Sequence, residues 1–308
     1  MAPTHKNTAL TPVLAAAGAI ILGKEHQLRL ALSCLLARGH LLIEDLPGVG
    51  KTMLAHTLAR LLGLDFQRIQ FTSDMLPADI LGISVFDRER GDFRFHPGPI
   101  FTQVVLADEI NRATPKAQSA LLEAMEERQV TIEGATRPLP QPFFVIATQN
   151  PSHQIGTFPL PESQLDRFLM RIELGYPDRA AERALFEGRD RRALLAETAP
   201  LLLPDILIAE QARAAKLHVA APLFDYVQAL VTHTRNAPDW KTGLSPRAGL
   251  GLIAAARAWA LLDGRDHVLP EDVQAVLPAV AIHRLSASGD QRSAAEIAKA
   301  LIEAVPLP

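Results

Sequence analysis

Cysteine is almost absent from this chain. Cys34 is the only one, so no intrachain disulfide can form, and the composition fits a reducing compartment such as the cytoplasm. Cys34 lies in an apolar helical run and reads as a small core hydrophobe. Charge of one sign is also lacking. The formal net charge is −3, which excludes a general attraction to nucleic acid or to anionic membranes. No apolar run approaches the length of a membrane span. Pro12 to Leu22 is apolar, but it is short and no basic region leads into it, so it does not read as a secretory signal. The residues up to about Thr11 read as a flexible leader. Low-complexity tracts and internal repeats are missing as well.

What is present suggests about two domains in 308 residues. Val13–Leu22 and Glu25–Ala37 read as helices, broken at Gly23 and ended at Gly39. Strand-like runs follow at 41–43, 65–71, 104–107, 143–148 and 168–174. Helical patterns alternate with them, among them the run after Lys51 and a helix capped by Thr114 with Pro115 in its first turn. Strands alternating with helices predict a parallel α/β sheet with helices on both faces. Two excursions interrupt it, each with a hairpin: 74–97, turning at Glu89-Arg90-Gly91, and 129–139, turning at Glu133-Gly134-Ala135. Composition changes at Gly175-Tyr176-Pro177, and six helical patterns follow. The division expected is 1–176 for the α/β domain and 177–308 for an all-helical one.

The strand at 41–43 runs into Glu44-Asp45-Leu46-Pro47-Gly48-Val49-Gly50-Lys51-Thr52, and an amphipathic helix follows from Met53. Glycines in such a loop let backbone N–H groups converge on an anion, and the helix N-terminus adds partial positive charge. Pro47, Gly48, Val49, Gly50, Lys51, Thr52 and Met53 are therefore the expected nucleotide cradle. Lys51 would reach the terminal phosphates and Thr52 would ligate Mg²⁺. The usual pattern has a further glycine where this chain has Asp45.

Asp108 and Glu109 end an apolar strand. That places both at the carboxyl edge of a parallel sheet, where open α/β folds bind ligands. Asp108 would complete the Mg²⁺ shell, and Glu109 would orient and deprotonate the attacking water. Asn150 ends the next strand and either positions that water or caps a loop. Arg167 is either an arginine finger for a neighbour's γ-phosphate or a surface residue paired with Asp166. Arg247 lies in the first turn of a helix, where a cation gains nothing from the helix dipole. It either serves a ligand or is simply exposed.

In this order the stretches resemble the AAA+ ATPases, and more specifically the MoxR family. Those carrying the resemblance are Gly39-His40, Glu44 to Thr52, Gly98-Pro99-Ile100-Phe101, Asp108 to Ala113, Ala147 to Pro151, Leu160-Pro161-Glu162, Leu165 to Phe168 and Ser245-Pro246-Arg247. Asp45 is usual in that family. The resemblance implies an ATPase using ATP and Mg²⁺, a homo-oligomer in the form of a hexameric ring, and nucleotide between subunits. It casts Asn150 as sensor 1, Arg167 as arginine finger and Arg247 as sensor 2. It makes 74–97 the helix-2 insert, 129–139 the pre-sensor-1 hairpin and the C-terminal helices the lid. It further implies a partner with a von Willebrand factor A domain, and a protein client whose maturation or metal and cofactor insertion is assisted.

Four other readings compete. A magnesium-chelatase-like subunit shares the insertions and would differ in its partner. A small-molecule P-loop kinase needs an acceptor pocket and a lid, and the Asp-Glu pair with two hairpins argues against it. A non-catalytic nucleotide-gated module is opposed by intact Lys51, Thr52, Asp108 and Glu109. A DNA-acting ATPase would need a basic patch with stacking aromatics. The best cluster, Arg88, Arg90 and Arg94 with Phe93 and Phe95, is interspersed with Asp87, Glu89 and Asp92 and reads as a solvated hairpin.

Overall fold

The computed structural model describes residues 9–89, 91–150, 156–238, 240–287 and 293–307. Most of the expected leader, Arg90 and Pro151 lie outside them. Helices α1 (Thr11–Ile20) and α2 (Glu25–Leu36) precede β1 (Leu41–Glu44). Then come α3 (Lys51–Leu61), β2 (Phe66–Gln70), α4 (Pro77–Leu81) and the hairpin β3 (Gly82–Asp87) and β4 (Asp92–Pro97). Next are β5 (Val104–Asp108), α5 (Pro115–Glu127) and the second hairpin, β6 (Gln129–Ile132) and β7 (Ala135–Pro138). The α/β unit closes with β8 (Phe144–Gln149), α6 (Glu162–Leu165) and β9 (Met170–Ile172).

Five strands form one parallel sheet in the order β2-β5-β8-β1-β9. Period two along each strand divides the core. Leu41, Ile43, Val104, Leu106, Phe144 and Ile146 face the layer holding α1, α2 and α3. Leu42, Val105, Ala107, Val145 and Ala147 face the layer holding α5. Cover on both faces is why these strands read as continuous apolar runs and not as alternating ones.

Beyond β9 the chain forms α7 (Arg179–Glu187), α8 (Arg191–Glu197), α9 (Pro204–Ala215) and α10 (Ala221–Asn236). Strand β10 (Trp240–Thr242), α11 (Pro246–Leu262), α12 (Pro270–Ala281), β11 (Ser286–Ala287) and α13 (Ala294–Ala304) complete it. The helical unit docks through α11 on α2 and through α12 on β9. His283 and Arg284 follow α12. The His283 ring hydrogen bonds the Phe168 carbonyl at 3.0 Å, and Arg284 donates to the carbonyls of Phe168 and Leu169 at 2.6 and 3.1 Å.

Three details depart from the sequence reading. The unit expected to be all-helical carries the antiparallel pair β10–β11. A seven-residue helix, α8, lies in a stretch with no assigned element. Gly39 does not supply the left-handed turn that ends α2. Arg38 does, at φ +56, and Gly39 donates its N–H to the Cys34 carbonyl. Glycine is needed at 39 for another reason: a Cβ there would overlap the Leu169 side chain.

Candidate active site

The loop 45–50 leaves β1 at its carboxyl end. Gly48 and Gly50 adopt φ of +86 and +99, a region that disfavours side chains, and nothing lies within 4 Å of where a Cβ would sit on either. The loop is therefore an open cradle ending on the first turn of α3. Pro47, Gly48, Gly50, Lys51, Thr52 and Met53 line a cavity of about 1160 Å³. Val49 does not; its side chain packs on the core and leaves only its backbone to the loop.

Asp45 has a structural reason for replacing the usual glycine. One carboxylate oxygen accepts the N–H groups of Leu174 and Gly175, both at 2.6 Å, and the other accepts that of Leu46 at 2.7 Å. The side chain ties the phosphate loop to the exit of β9.

Lys51 is buried, and its ammonium donates to the Asp45 carbonyl at 2.5 Å and to Asn150 Oδ1 at 3.2 Å. Burial draws its pKa below the ordinary lysine value, while Asp45, Asp108 and Glu109 act in the opposite direction. The charge is thus held at the mouth of an open loop by neutral oxygens, an arrangement suited to an incoming anion.

Asp108 and Glu109 sit where expected, on the same cavity. Thr148 donates its hydroxyl to Asp108 Oδ1 at 2.5 Å and accepts the Glu109 N–H at 2.9 Å. Glu109 takes a left-handed conformation, φ +57 and ψ +48, which costs a non-glycine residue about 1 kcal/mol or more. Asn150 Nδ2 lies 3.5 Å from Glu109 Oε1. Asn150 therefore stands between Lys51 and Glu109, and the sequence expectation that it lies beside Glu109 agrees with this geometry.

Sequence reasoning missed three side chains. Arg68 donates to Asp108 Oδ2 through Nε at 3.1 Å and Nη2 at 2.6 Å. Gln70 donates to Glu109 Oε2 at 2.9 Å, and Arg112 lies 3.0 Å from the same oxygen. Arg68 and Gln70 alternate along β2, where three of the five residues are polar, and nothing in that pattern singles out these two.

Arg167 and Arg247 are not part of this cavity. They line a second one of about 350 Å³, where both pair with Glu126. The alternative of Arg167 pairing with Asp166 fails because Arg284 occupies that carboxylate at 2.6 Å. Among the described residues no cluster of His, Cys, Asp and Glu could hold a metal unaided, and no helix is long and apolar enough to cross a membrane. Thr52 and Asp108 line the phosphate cavity together and could share a cation with a bound phosphate.

A parallel sheet with a phosphate loop, an Asp-Glu strand end and a helical unit behind it defines a nucleotide-binding ATPase of the AAA+ class. Family models agree: residues 40–170 match the ATPase family associated with various cellular activities (AAA), and residues 232–303 match the AAA lid domain. The chain is 43% identical over 302 residues to Chaperone MoxR1 of Mycobacterium tuberculosis, covering 94% of this chain and 80% of that one. It is 36% identical to Protein MoxR of Paracoccus denitrificans, covering 96% and 95%. It is 42% identical to the uncharacterized protein YeaC of Bacillus subtilis, covering 94% and 92%. A solved structure from Cytophaga hutchinsonii, provisionally titled an ATPase, superposes with a TM-score of 0.88 at 34% identity over 97% of this chain and 95% of that one. The chain belongs to the MoxR family of AAA+ ATPases.

Proposed function

We propose that this MoxR-family ATPase hydrolyses ATP to ADP and phosphate with Mg²⁺, as subunits of a homo-oligomeric ring, here taken as a hexamer. In this reading Pro47 to Met53 cradle the phosphates, and Lys51 meets their terminal oxygens. Thr52 and Asp108 hold Mg²⁺, whose charge would favour the developing phosphate charge. Glu109 accepts the proton of the attacking water, and Asn150, bridging Lys51 and Glu109, sets that water's position. Arg167 and Arg247 act on the nucleotide of the adjacent subunit. We assign the α/β unit to 1–176 and the lid to 177–308, and infer a cytoplasmic chaperone-type role. Hydrolysis would remodel a protein client together with a von Willebrand factor A domain partner, to mature the client or load its metal or cofactor. The hairpins at 74–97 and 129–139 are the segments offered to that client.

The observation that carries the reading is the separation of the two groups. Lys51, Asp108, Glu109 and Asn150 gather on the phosphate loop, while Arg167 and Arg247 gather on a different cavity. Within one subunit Arg167 and Arg247 thus lie apart from the phosphate-loop cavity, whose own arginines are Arg60, Arg68 and Arg192. The test is Arg167→Ala: ATP binding should persist within about twofold, while hydrolysis falls by about 10³-fold or more. Full turnover by strictly monomeric protein would overturn the proposal.

A further inference from the structure

The second cavity is rich in guanidinium groups. Five arginines line it against two carboxylates, Glu126 and Asp166. Asp166 is already committed. One of its oxygens is 2.6 Å from Arg284 Nε, with that arginine side chain only 5% exposed, and the other lies 3.4 Å from the Ser245 hydroxyl. Glu126 is left as the carboxylate facing Arg167 and Arg247. It divides its two oxygens between them: Oε2 lies 3.3 Å from Arg167 Nε, and Oε1 pairs with Arg247 Nη2. A two-oxygen anion bridging two guanidiniums is the arrangement a phosphate would adopt between the same pair. Glu126 belongs to the last turn of α5, and its side chain is 35% exposed, so the clasp can open without unpacking the core.

We propose that Glu126 is a positioning residue that stands in for the phosphate until subunits assemble. This rests on the reading that Arg167 and Arg247 serve a neighbour's nucleotide. In the free subunit Glu126 holds both guanidiniums side by side, which spares part of the ordering cost at assembly. A phosphate carries more charge and more acceptor oxygens than a carboxylate, so it takes the arginines over when the neighbour docks. Glu126 therefore also competes with assembly, and sets a protein concentration below which the ATPase stays idle.

The experiment measures ATPase rate against protein concentration at saturating ATP, for the full chain and for Glu126→Gln. Glutamine keeps helix propensity and shape and removes the charge. Two partly exposed ion pairs are relieved, so the half-activating protein concentration should fall about two- to tenfold, with saturated kcat within about twofold. The difference should shrink in high salt. Glu127→Gln, one residue on along the same exposed turn, should leave the concentration unchanged. An unchanged or raised half-activating concentration for Glu126→Gln overturns the proposal. So does an equal shift from Glu127→Gln, which would make the effect one of general charge. If Arg167→Ala alone retains full turnover, the assembly reading fails and takes this one with it. If Arg167→Ala is inactive and Glu126→Gln behaves as the parent, only the role of Glu126 fails.

Discussion

Replacing Asp45 with glycine would restore the ordinary phosphate-loop pattern, and the structure predicts that it harms the protein. The Asp45 carboxylate accepts three backbone N–H groups. Leu46 is 45% exposed, so water can take over its N–H. Leu174 is 2% exposed and Gly175 is half-buried, and their N–H groups have no comparable substitute. A hydrogen bond to a charged acceptor contributes about 1.5–3 kcal/mol, so losing two at this site costs about 3 kcal/mol. Added backbone freedom of glycine in the unfolded chain brings roughly 0.5–1 kcal/mol more. Together these are a large share of the roughly 5–15 kcal/mol that stabilises a typical protein, and correspond to a fall in Tm on the order of 10 °C. Asp45→Asn keeps a neutral acceptor and should lose about half as much. Urea and thermal denaturation of the full chain without nucleotide would measure all three proteins. A glycine variant as stable as the parent would refute the role given to this tie.

Glu109→Gln keeps the side-chain shape and the backbone contact with Thr148 but removes the base and one of the two oxygens that accept from Gln70, Arg112 and Asn150. It should bind ATP with nearly parental affinity and lose hydrolysis by about 10²- to 10⁴-fold, as single-turnover measurement beside equilibrium nucleotide binding would show. His40 predicts a pH effect on stability. It is buried; Nδ1 accepts the Val145 N–H at 3.0 Å, Nε2 bonds the Met125 carbonyl at 3.2 Å, and burial pushes its pKa down from 6.5 to about 4. The unfolded chain then binds the extra proton between those values. The stabilisation is complete above pH 6.5 and is lost as pH falls toward 4, by roughly 3 kcal/mol. His283, also buried, shifts in the same direction. Unfolding free energies from pH 7 to pH 4.5 should fall less steeply for His40→Gln than for the parent, and equal slopes would contradict the assignment.

The parts of the site that were legible in the sequence are those written into short stretches. The phosphate loop is one run of residues between a strand and a helix. Asp108-Glu109 and Asn150 each end an apolar strand, and a parallel sheet brings such ends to one edge without further information. The parts that were not legible depend on pairings across the chain. Arg68 reaches Asp108 because β2 is the edge strand beside β5, with Gln70 in register with Asp108. Two of the three partners of the Asp45 carboxylate lie 129 and 130 residues away. Glu126 is one of several acids at the end of α5; the packing of the α/β unit brings Arg167 to it, and the docking of the helical unit adds Arg247. The pair β10–β11 was hidden for a similar reason: strands of three and two residues carry no periodicity, and pairing alone defines them.

In the proposed assembly each working site is divided between two subunits. The most direct test of that division is to mix two variants that are inactive alone, Glu109→Gln and Arg167→Ala. In a ring with head-to-tail interfaces, random mixing in equal amounts makes about a quarter of the interfaces intact, with Glu109 from one subunit facing Arg167 from the next. ATPase activity should reappear on mixing and rise toward about a quarter of the parental rate. A mixture as inactive as its two components, under conditions where both variants enter the same rings, would contradict it.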